Sequence, residues 1–176
     1  TVVTVADGCE LQGAVTLRAA TNLDFTGMVA DSDVVVTGAG TLRTDAGDID
    51  FRGVDVESAG GGGGETLTLE SGGTVYLQDA GLTDSGLDGI TLNAIGAMDL
   101  SGTITIEAGG IDFSNVGNGD TINISGATVL DVTGALATTA ENINGNNTLQ
   151  IITSTTTTLQ EVGNSAPLAS LDGDST

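Results

Sequence analysis

The sequence contains no tryptophan, histidine or lysine among its 176 residues, and it has only one proline and one cysteine. Its aromatic side chains are limited to Phe25, Phe51, Phe113 and Tyr76. Without histidine, no serine–histidine or cysteine–histidine nucleophile pair can form. The single cysteine, Cys9, excludes an internal disulfide, and we expect it to be a small buried apolar residue rather than an intermolecular link or a reactive thiol.

Positive charge is also scarce, because only Arg18, Arg43 and Arg52 oppose 24 acidic residues, for a net charge of −21. Such a chain would be repelled by nucleic-acid phosphates and by anionic membrane surfaces, so we expect neither as a partner. No apolar run approaches the length of a membrane span, and no membrane insertion is expected. No segment typical of a signal peptide is present, so we expect any such segment to have been removed.

Helical periodicity is absent, and the recurring unit is an apolar–polar–apolar triplet, which is the two-residue period of a β-strand. Glycine, asparagine, aspartate and serine separate the triplets, and these residues favour turns. The triplets are Val15-Thr-Leu17, Leu23-Asp-Phe25, Ile49-Asp-Phe51, Val54-Asp-Val56, Leu67-Thr-Leu69, Val75-Tyr-Leu77, Ile90-Thr-Leu92, Met98-Asp-Leu100, Ile104-Thr-Ile106, Ile111-Asp-Phe113, Ile122-Asn-Ile124, Leu130-Asp-Val132 and Leu149-Gln-Ile151.

This spacing predicts an all-β fold, a right-handed parallel β-helix (β-solenoid) of about 7–8 coils with roughly 19–26 residues each. Strands of three residues are too short for a stable hairpin meander, whereas stacked coils share a continuous hydrogen-bond ladder. Leu67, Ile90 and Ile111 should occupy one corner of successive coils. The outer residues of each triplet are expected to face the core and the central residue to face solvent, in a rod about 40 Å long.

We assign residues 1–153 to the solenoid and residues 154–176 to a threonine-rich polar tail, which would cap the end or link to a neighbour. Within the solenoid, Thr1–Val5 is a candidate exchange strand, and residues 59–65 form a glycine-rich loop. That loop lacks the following Lys-Ser/Thr and helix that a phosphate-cradling loop requires.

The stretch from Val34 to Val132, with phrases such as "AGDIDFRGVDVESAGG" and "DGITLNAIGAMDLSGTITIEAGGIDFS", resembles the repeats of bacterial filamentous-haemagglutinin and autotransporter-passenger adhesins. The resemblance implies a β-helix that is secreted to the cell surface and acts in adhesion, biofilm or filament formation. It does not extend to a two-partner secretion signature or a membrane-barrel domain, so the chain would be a short relative, a fragment or a stacking subunit.

Aspartate occupies the exposed centre of several triplets. If these residues stack in one column, their carboxylates lie about 5 Å apart and repel unless a cation intervenes, for which calcium is the natural candidate. The irregular gaps instead favour solvated aspartates on different faces. The segment Gly117-Asn-Gly-Asp-Thr-Ile-Asn123 contains one calcium-repeat core, but a turn is the favoured interpretation. The aspartates are Asp24, Asp50, Asp55, Asp99, Asp112 and Asp131.

The residues therefore predict no catalytic residue, no cofactor-binding residue and no metal ligand, and we expect no enzyme. The alternative is a polysaccharide lyase or glycosidase, but Tyr76 is a lone platform for sugars and no lysine or histidine is present as a base. A further alternative is an ice-binding solenoid with Thr-x-Thr ladders, of which Thr66-Leu-Thr68 and Thr103-Ile-Thr105 are local examples. Thr121-Ile-Asn123 nearly fits.

The functional prediction depends on the two ends of the solenoid, where we expect assembly with other chains. Open strand edges favour pairing with another chain, and no amphipathic cap helix is apparent in the sequence. We therefore expect a non-catalytic extracellular fibre subunit that stacks end to end or exchanges strands, with host or matrix glycans as further partners. The net charge of −21 would oppose side-to-side aggregation.

Overall fold

The structure is a computed structural model, and it describes residues 3–4, 8–28, 33–60, 64–81, 86–93, 96–107, 109–113, 115–116, 121–134, 136–137, 142–155, 157, 159, 161–163 and 165–175. The described residues contain strands and connecting turns, with no helix among them and hence none that could cross a membrane. The strands are β1 (Val3–Thr4), β2 (Cys9–Leu11), β3 (Val15–Ala19), β4 (Leu23–Asp24), β5 (Val34–Val36), β6 (Ala39–Thr44), β7 (Ile49–Asp50), β8 (Asp55–Ser58), β9 (Thr66–Glu70), β10 (Thr74–Leu77), β11 (Asp79–Ala80), β12 (Gly89–Asn93), β13 (Ala97–Ile106), β14 (Ile111–Asp112), β15 (Thr121–Val132), β16 (Leu136–Ala137), β17 (Asn142–Asn144), β18 (Thr148–Thr153), β19 (Glu161–Val162) and β20 (Ser170–Ser175).

These strands stack into three parallel sheets, which form the three sides of a β-solenoid. Sheet I contains β1, β4, β7, β10, β13, β15, β17 and β19 in that order. Sheet II contains β2, β5, β8, β11, β13, β15, β18 and β20. Sheet III contains β3, β6, β9, β12, β14 and β16. About six coils therefore have all three sides within the described ranges, and β17–β20 extend sheets I and II beyond them.

The coil length varies as the triplet spacing predicts. The separation of paired residues in sheet I runs from 26 residues between Leu23 and Ile49 to 19 residues between Ile143 and Val162. The predicted parallel β-helix architecture is confirmed by this pairing. The segment predicted as a tail contributes β19 and β20 to the sheets.

One continuous core fills the space between the three sheets. Both apolar residues are buried in every predicted triplet except Val15-Thr-Leu17, which lies in the first coil. Phe25 and Phe51 stack on each other one coil apart, with ring centroids 4.9 Å apart and an interplanar angle of 14°. Side chains from successive coils thus pack in columns along the axis, and this packing supplies the stabilisation that such short strands cannot obtain alone.

The corner between sheets I and II is tight and depends on glycine. β13 bends there, and its register with β15 shifts between Leu100 and Gly102. Gly102 has a φ of 72°, and a Cβ at this position would overlap the carbonyl oxygen of Gln78 and the carboxylate of Asp79 in the preceding coil. The same Asp79 carboxylate accepts a hydrogen bond from the Thr103 amide at 2.9 Å, which fixes the start of the sheet II segment.

The predicted corner alignment of Leu67, Ile90 and Ile111 is confirmed, since Ile90 pairs with Leu67 on one side and with Ile111 on the other in sheet III. In the glycine-rich loop, Gly61–Gly63 lies outside the described residues, whereas Gly60 and Gly64 both have positive φ angles. For the candidate exchange strand, Val3 and Thr4 pair with Leu23 and Asp24 of the same chain. The remaining residues of Thr1–Val5 lie outside the described ranges.

Candidate functional site

Sheet I presents a column of polar side chains on its outer surface. Asp24, Asp50, Tyr76, Asp99 and Asn123 are aligned in register over five successive coils. Three of the six aspartates singled out in the sequence therefore share one face, and Asp24 and Asp50 are directly adjacent. Adjacent carboxylates at the spacing of parallel strands, about 4.8 Å, repel each other unless a partner balances them.

Protein side chains supply those partners. Arg52 forms a bidentate ion pair with Asp50, with Nε 2.9 Å from Oδ1 and Nη2 2.5 Å from Oδ2, and this hydrogen bonding raises the pKa of the guanidinium. Asp24 accepts hydrogen bonds from the amide and the hydroxyl of Thr26 at 3.0 and 2.7 Å. Each carboxylate is thus tied to groups of its own coil.

Further along the column, Asp99 is bound from the next coil. Asn123 donates its Nδ2 to Asp99 Oδ2 at 2.8 Å, and the hydroxyl of Ser125 donates to the other carboxylate oxygen. In the part of the chain that the structure describes, no group of three or more acidic or cysteine side chains is placed to hold a metal ion.

The other three aspartates lie on other faces. Asp55 and Asp131 belong to sheet II, where Asp55 aligns with Asp79, and Asp131 aligns with Thr105 and Ile152. Asp112 lies in sheet III, in register with Thr91. Of the candidate calcium-repeat segment, residues 117–120 lie outside the described residues and the remainder begins β15.

Sheet III carries a threonine column that the triplet pattern does not predict. Thr16, Thr41, Thr68 and Thr91 are aligned in four successive coils, and Asp112 continues the same column. Of the Thr-x-Thr segments recognised in the sequence, one contributes to this column through Thr68, and the others lie on different sheets. Thr66-Leu-Thr68 is in sheet III, Thr103-Ile-Thr105 in sheet II and Thr121-Ile-Asn123 in sheet I.

Beside the threonine column, the charged side chains of sheet III form a network of ion pairs. Arg18 binds Asp45 at 2.8 Å, and Arg43 lies 3.7 Å from Asp45 and 3.0 Å from Glu70. Arg43, Asp45 and Glu70 border an open groove of about 340 Å³ whose lining also includes Asn93. Both carboxylates of this groove are thus engaged by arginine, an arrangement that fits a structural network better than a free acid–base pair.

The amino-terminal end of sheet II is formed by β2, which pairs only with β5 among the described residues. Cys9 is half-buried there, and burial raises the pKa of its thiol. The Cys9 amide donates to the carbonyl of Asp33, and the Leu11 carbonyl accepts from the amide of Thr37. Because backbone groups alternate along a strand, the intervening amide of Glu10 points to the open edge.

The carboxyl-terminal end of sheet II is formed by β20, which pairs with β18. Leu171 in this strand is 49% exposed, the highest value among the exposed large apolar side chains of the described residues. An open groove of about 440 Å³ lies beside it and is lined by Ile151, Leu159 and Leu171 together with polar residues. Within the described residues, both ends of sheet II therefore have no further strand paired to their outer edges.

Comparison of the chain with models of known protein families, with curated proteins and with solved structures finds no match in any of the three.

Proposed function

We propose that this chain is a non-catalytic structural segment of an extracellular, cell-surface fibre, and that it joins its neighbours through the ends of the solenoid. The observation that carries the proposal is that β2 and β20 are the two ends of one continuous column of parallel strands, and no strand among the described residues pairs with their outer edges. A parallel edge of this kind accepts a further strand through backbone hydrogen bonds. The resemblance to surface adhesin repeats supports the extracellular setting.

The sides of the solenoid support end-to-end rather than lateral assembly. The net charge is −21, and each of the three arginines is already in an ion pair with an aspartate or glutamate. Two rods approaching side by side would therefore meet like charges on their faces. An adhesive role toward host or matrix glycans would then be served by the polar faces of the assembled fibre.

The register predicts how a joint would respond to salt. If β2 of one copy continues sheet II beyond β20 of another, Cys9 lies opposite Gly173 and Glu10 lies opposite Asp174. The two carboxylates repel, so assembly should be weak at low ionic strength and stronger once salt screens them. Rods should then lengthen in steps of about 40 Å.

Sedimentation velocity and negative-stain microscopy over a range of chain and salt concentrations test this proposal. Glu10→Pro removes an amide that points only to the outer edge of β2, and it should keep the chain monomeric at all salt concentrations. Glu10→Gln, the matched control, keeps the amide and removes the charge, so it should assemble at lower salt than the wild type. A wild-type chain that stays monomeric throughout, or a Glu10→Pro variant that assembles normally, would disprove end-to-end joining.

The extracellular setting is tested separately. An antibody raised against the folded chain should label intact cells of the source organism without permeabilisation. Labelling that requires permeabilised cells would contradict this part of the proposal and leave the assembly result unaffected.

The threonine column favours ice binding as a second candidate function. Thr16, Thr41, Thr68 and Thr91 repeat a hydroxyl and a methyl group at the spacing of parallel strands, about 4.8 Å, which gives a regular surface for ordered water. Thermal hysteresis that is lost in Thr41→Tyr would favour this function. A solution of the wild-type chain without hysteresis would exclude it.

A further inference from the structure

The groove at the carboxyl-terminal end of sheet II is an unfilled strand position. β20 is paired with β18 along one edge, and within the described ranges no strand occupies its other edge. Ile151, Leu159 and the half-exposed Leu171 give the groove an apolar floor, and its volume is about 440 Å³. An apolar surface next to an open strand edge is the arrangement that binds an extended peptide.

The groove is open because Gly173, a residue of β20 without a side chain, occupies the last inward position of sheet II. The inward column of sheet II ends at Gly173, where a Cβ would meet no atom within 4 Å, so the space above Ile151 is open. The Oγ1 of Thr157 lines the same groove, is buried, and has no hydrogen-bond partner among the residues that the structure describes. Buried hydroxyl groups are normally hydrogen-bonded, so this oxygen marks a place for a polar group of a ligand. The members of the column are Val34, Val56, Ala80, Ile104, Leu130, Ile151 and Gly173.

The charged side chains of β20 determine which kind of strand can pair with its outer edge. Asp172 and Asp174 are both exposed on β20, and Asp174 accepts a hydrogen bond from the side-chain amide of Gln150 at 3.1 Å. The three arginines of the chain are held in ion pairs in the earlier coils. Positive charges that pair with Asp172 and Asp174 must therefore come from another molecule.

We propose that this groove binds an extended segment of another protein, which adds to sheet II as a parallel strand beside β20. The segment carries lysine or arginine opposite Asp172 and Asp174, with an apolar residue between them. That apolar side chain fills the space above Ile151 that Gly173 leaves open, and its neighbours cover Leu171. The inference does not depend on fibre assembly, and the bound segment would compete with β2 of a second copy for this one edge of β20.

A second copy of this chain fits the same edge less well. Its strand β2 would place Glu10 opposite Asp174, which is a pair of like charges at adjacent strand positions. The two occupants also differ in their response to salt, because screening strengthens a contact between like charges and weakens a contact between opposite charges. Salt dependence therefore distinguishes a cationic partner strand from self-association.

The test measures binding of a fluorescent peptide, Thr-Val-Lys-Val-Lys-Val-Thr, to the full chain by fluorescence anisotropy. We expect saturable binding at one site that weakens as NaCl is raised from about 0.05 M to about 0.5 M. The double variant Asp172→Asn, Asp174→Asn should bind the peptide about fivefold more weakly. Asp131→Asn, in the same outer column but two coils inside, is the matched control and should bind as the wild type does.

A second variant tests the shape of the groove. Gly173→Val fills open space without a clash, so it should melt at the wild-type temperature and lose peptide binding. A peptide with glutamate in place of lysine, and one that is N-methylated at alternate residues, should both fail to bind because they lack the charges or the backbone donors.

Four results would overturn the proposal. They are unchanged affinity in the double aspartate variant, full affinity in Gly173→Val, equal binding of the glutamate peptide, or no binding of the lysine peptide. The last result, combined with stronger self-association of Asp174→Asn, would assign the edge to a second copy of the chain.

Discussion

The guanidinium carbon of Arg52 lies 4.3 Å from the centroid of the Tyr76 ring. The same guanidinium binds the carboxylate of Asp50, which lies one coil before Tyr76. One arginine thus joins two coils through an ion pair and a cation–π contact. It also balances the site where Asp24 and Asp50 are adjacent in register. The outer surface of sheet I therefore depends on this residue more than its exposure suggests.

Removal of Arg52 should destabilise the solenoid in a salt-dependent way. Because its side chain is 57% exposed, we expect Arg52→Gln to lower the free energy of unfolding by no more than about 1 kcal/mol at low salt. High salt should reduce the loss by screening the repulsion between Asp24 and Asp50. Urea unfolding at two salt concentrations measures the effect.

The matched control for that experiment is Arg18→Gln, which removes an exposed ion pair with Asp45 but no aromatic contact. Arg18→Gln should lower the free energy of unfolding by less than Arg52→Gln does at both salt concentrations. Equal losses for the two variants would mean that the Tyr76 contact contributes nothing.

The corner between sheets III and I should be intolerant of a methyl group. A Cβ at Gly73 would lie 2.8 Å from the carbonyl carbon of Gly47 in the preceding coil, and it would also overlap the carboxylate of Asp48. Gly73→Ala should therefore lower the free energy of unfolding by about 1–3 kcal/mol, as overpacking does. Gly173→Ala, which adds the same atom in open space, should be nearly neutral in the same thermal or urea unfolding experiment. Similar stability of the two variants would contradict the close contact between these coils.

The thiol of Cys9 should react slowly in the folded chain. Burial raises its pKa, so the folded state holds less of the reactive thiolate than the unfolded state does at the same pH. The folded thiol should react several-fold more slowly with a disulfide reagent at pH 8 than the urea-unfolded thiol, and the rate should keep rising above pH 9. The stabilising effect of the neutral thiol is retained below the unfolded-state pKa and is lost as the pH rises through the raised value. Equal reaction rates of the thiol in the folded and unfolded chain would contradict the raised pKa of Cys9.

Asn144 should hold the last coil in place. Its Oδ1 accepts hydrogen bonds from the amides of Ser165 and Ala166 at 2.9 and 3.2 Å, and the residue is 4% exposed. Asn144→Ala should lower the free energy of unfolding by about 1–3 kcal/mol, because it leaves two amides unsatisfied in the segment that leads to β20. Hydrogen exchange should accelerate at those amides first.

Asn115→Ala is the matched control, since Asn115 is exposed and donates a long hydrogen bond of 3.4 Å to the side-chain oxygen of Asn93. It should leave exchange at Ser165 and Ala166 unchanged. Unchanged protection of these amides in Asn144→Ala would rule out the proposed role of the asparagine.

The triplet pattern predicted the core correctly because it depends on local alternation alone. Pairs such as Ile49 and Phe51 or Ile104 and Ile106 are buried wherever the chain is covered by coils on both sides. Val15 is 36% exposed because it lies in the first coil, with a neighbouring strand only on one side.

The sequence predicts less well which outward-facing residues align in one column, because the alignment depends on the length of every turn between two strands. Asp24 and Asp50 share a column while Asp55, only five residues beyond Asp50, lies on another sheet. The threonine column was missed at Thr41, since Gly40 occupies the inward position before it and breaks the apolar–polar–apolar pattern. Leu67 extends toward that glycine from the next coil, with its Cδ1 3.7 Å from the position of the missing Cβ.

The ion pairs of the first coils have no counterpart in the later coils. All three arginines lie between residues 18 and 52, and no cation follows them along the chain. Because the chain advances along the solenoid axis with each coil, this order places every positive side chain in the earlier coils and leaves the later ones purely anionic. Carboxylates in the later coils therefore have no cationic side chain of the same chain to pair with, so added salt should protect those coils against unfolding more than it protects the first ones.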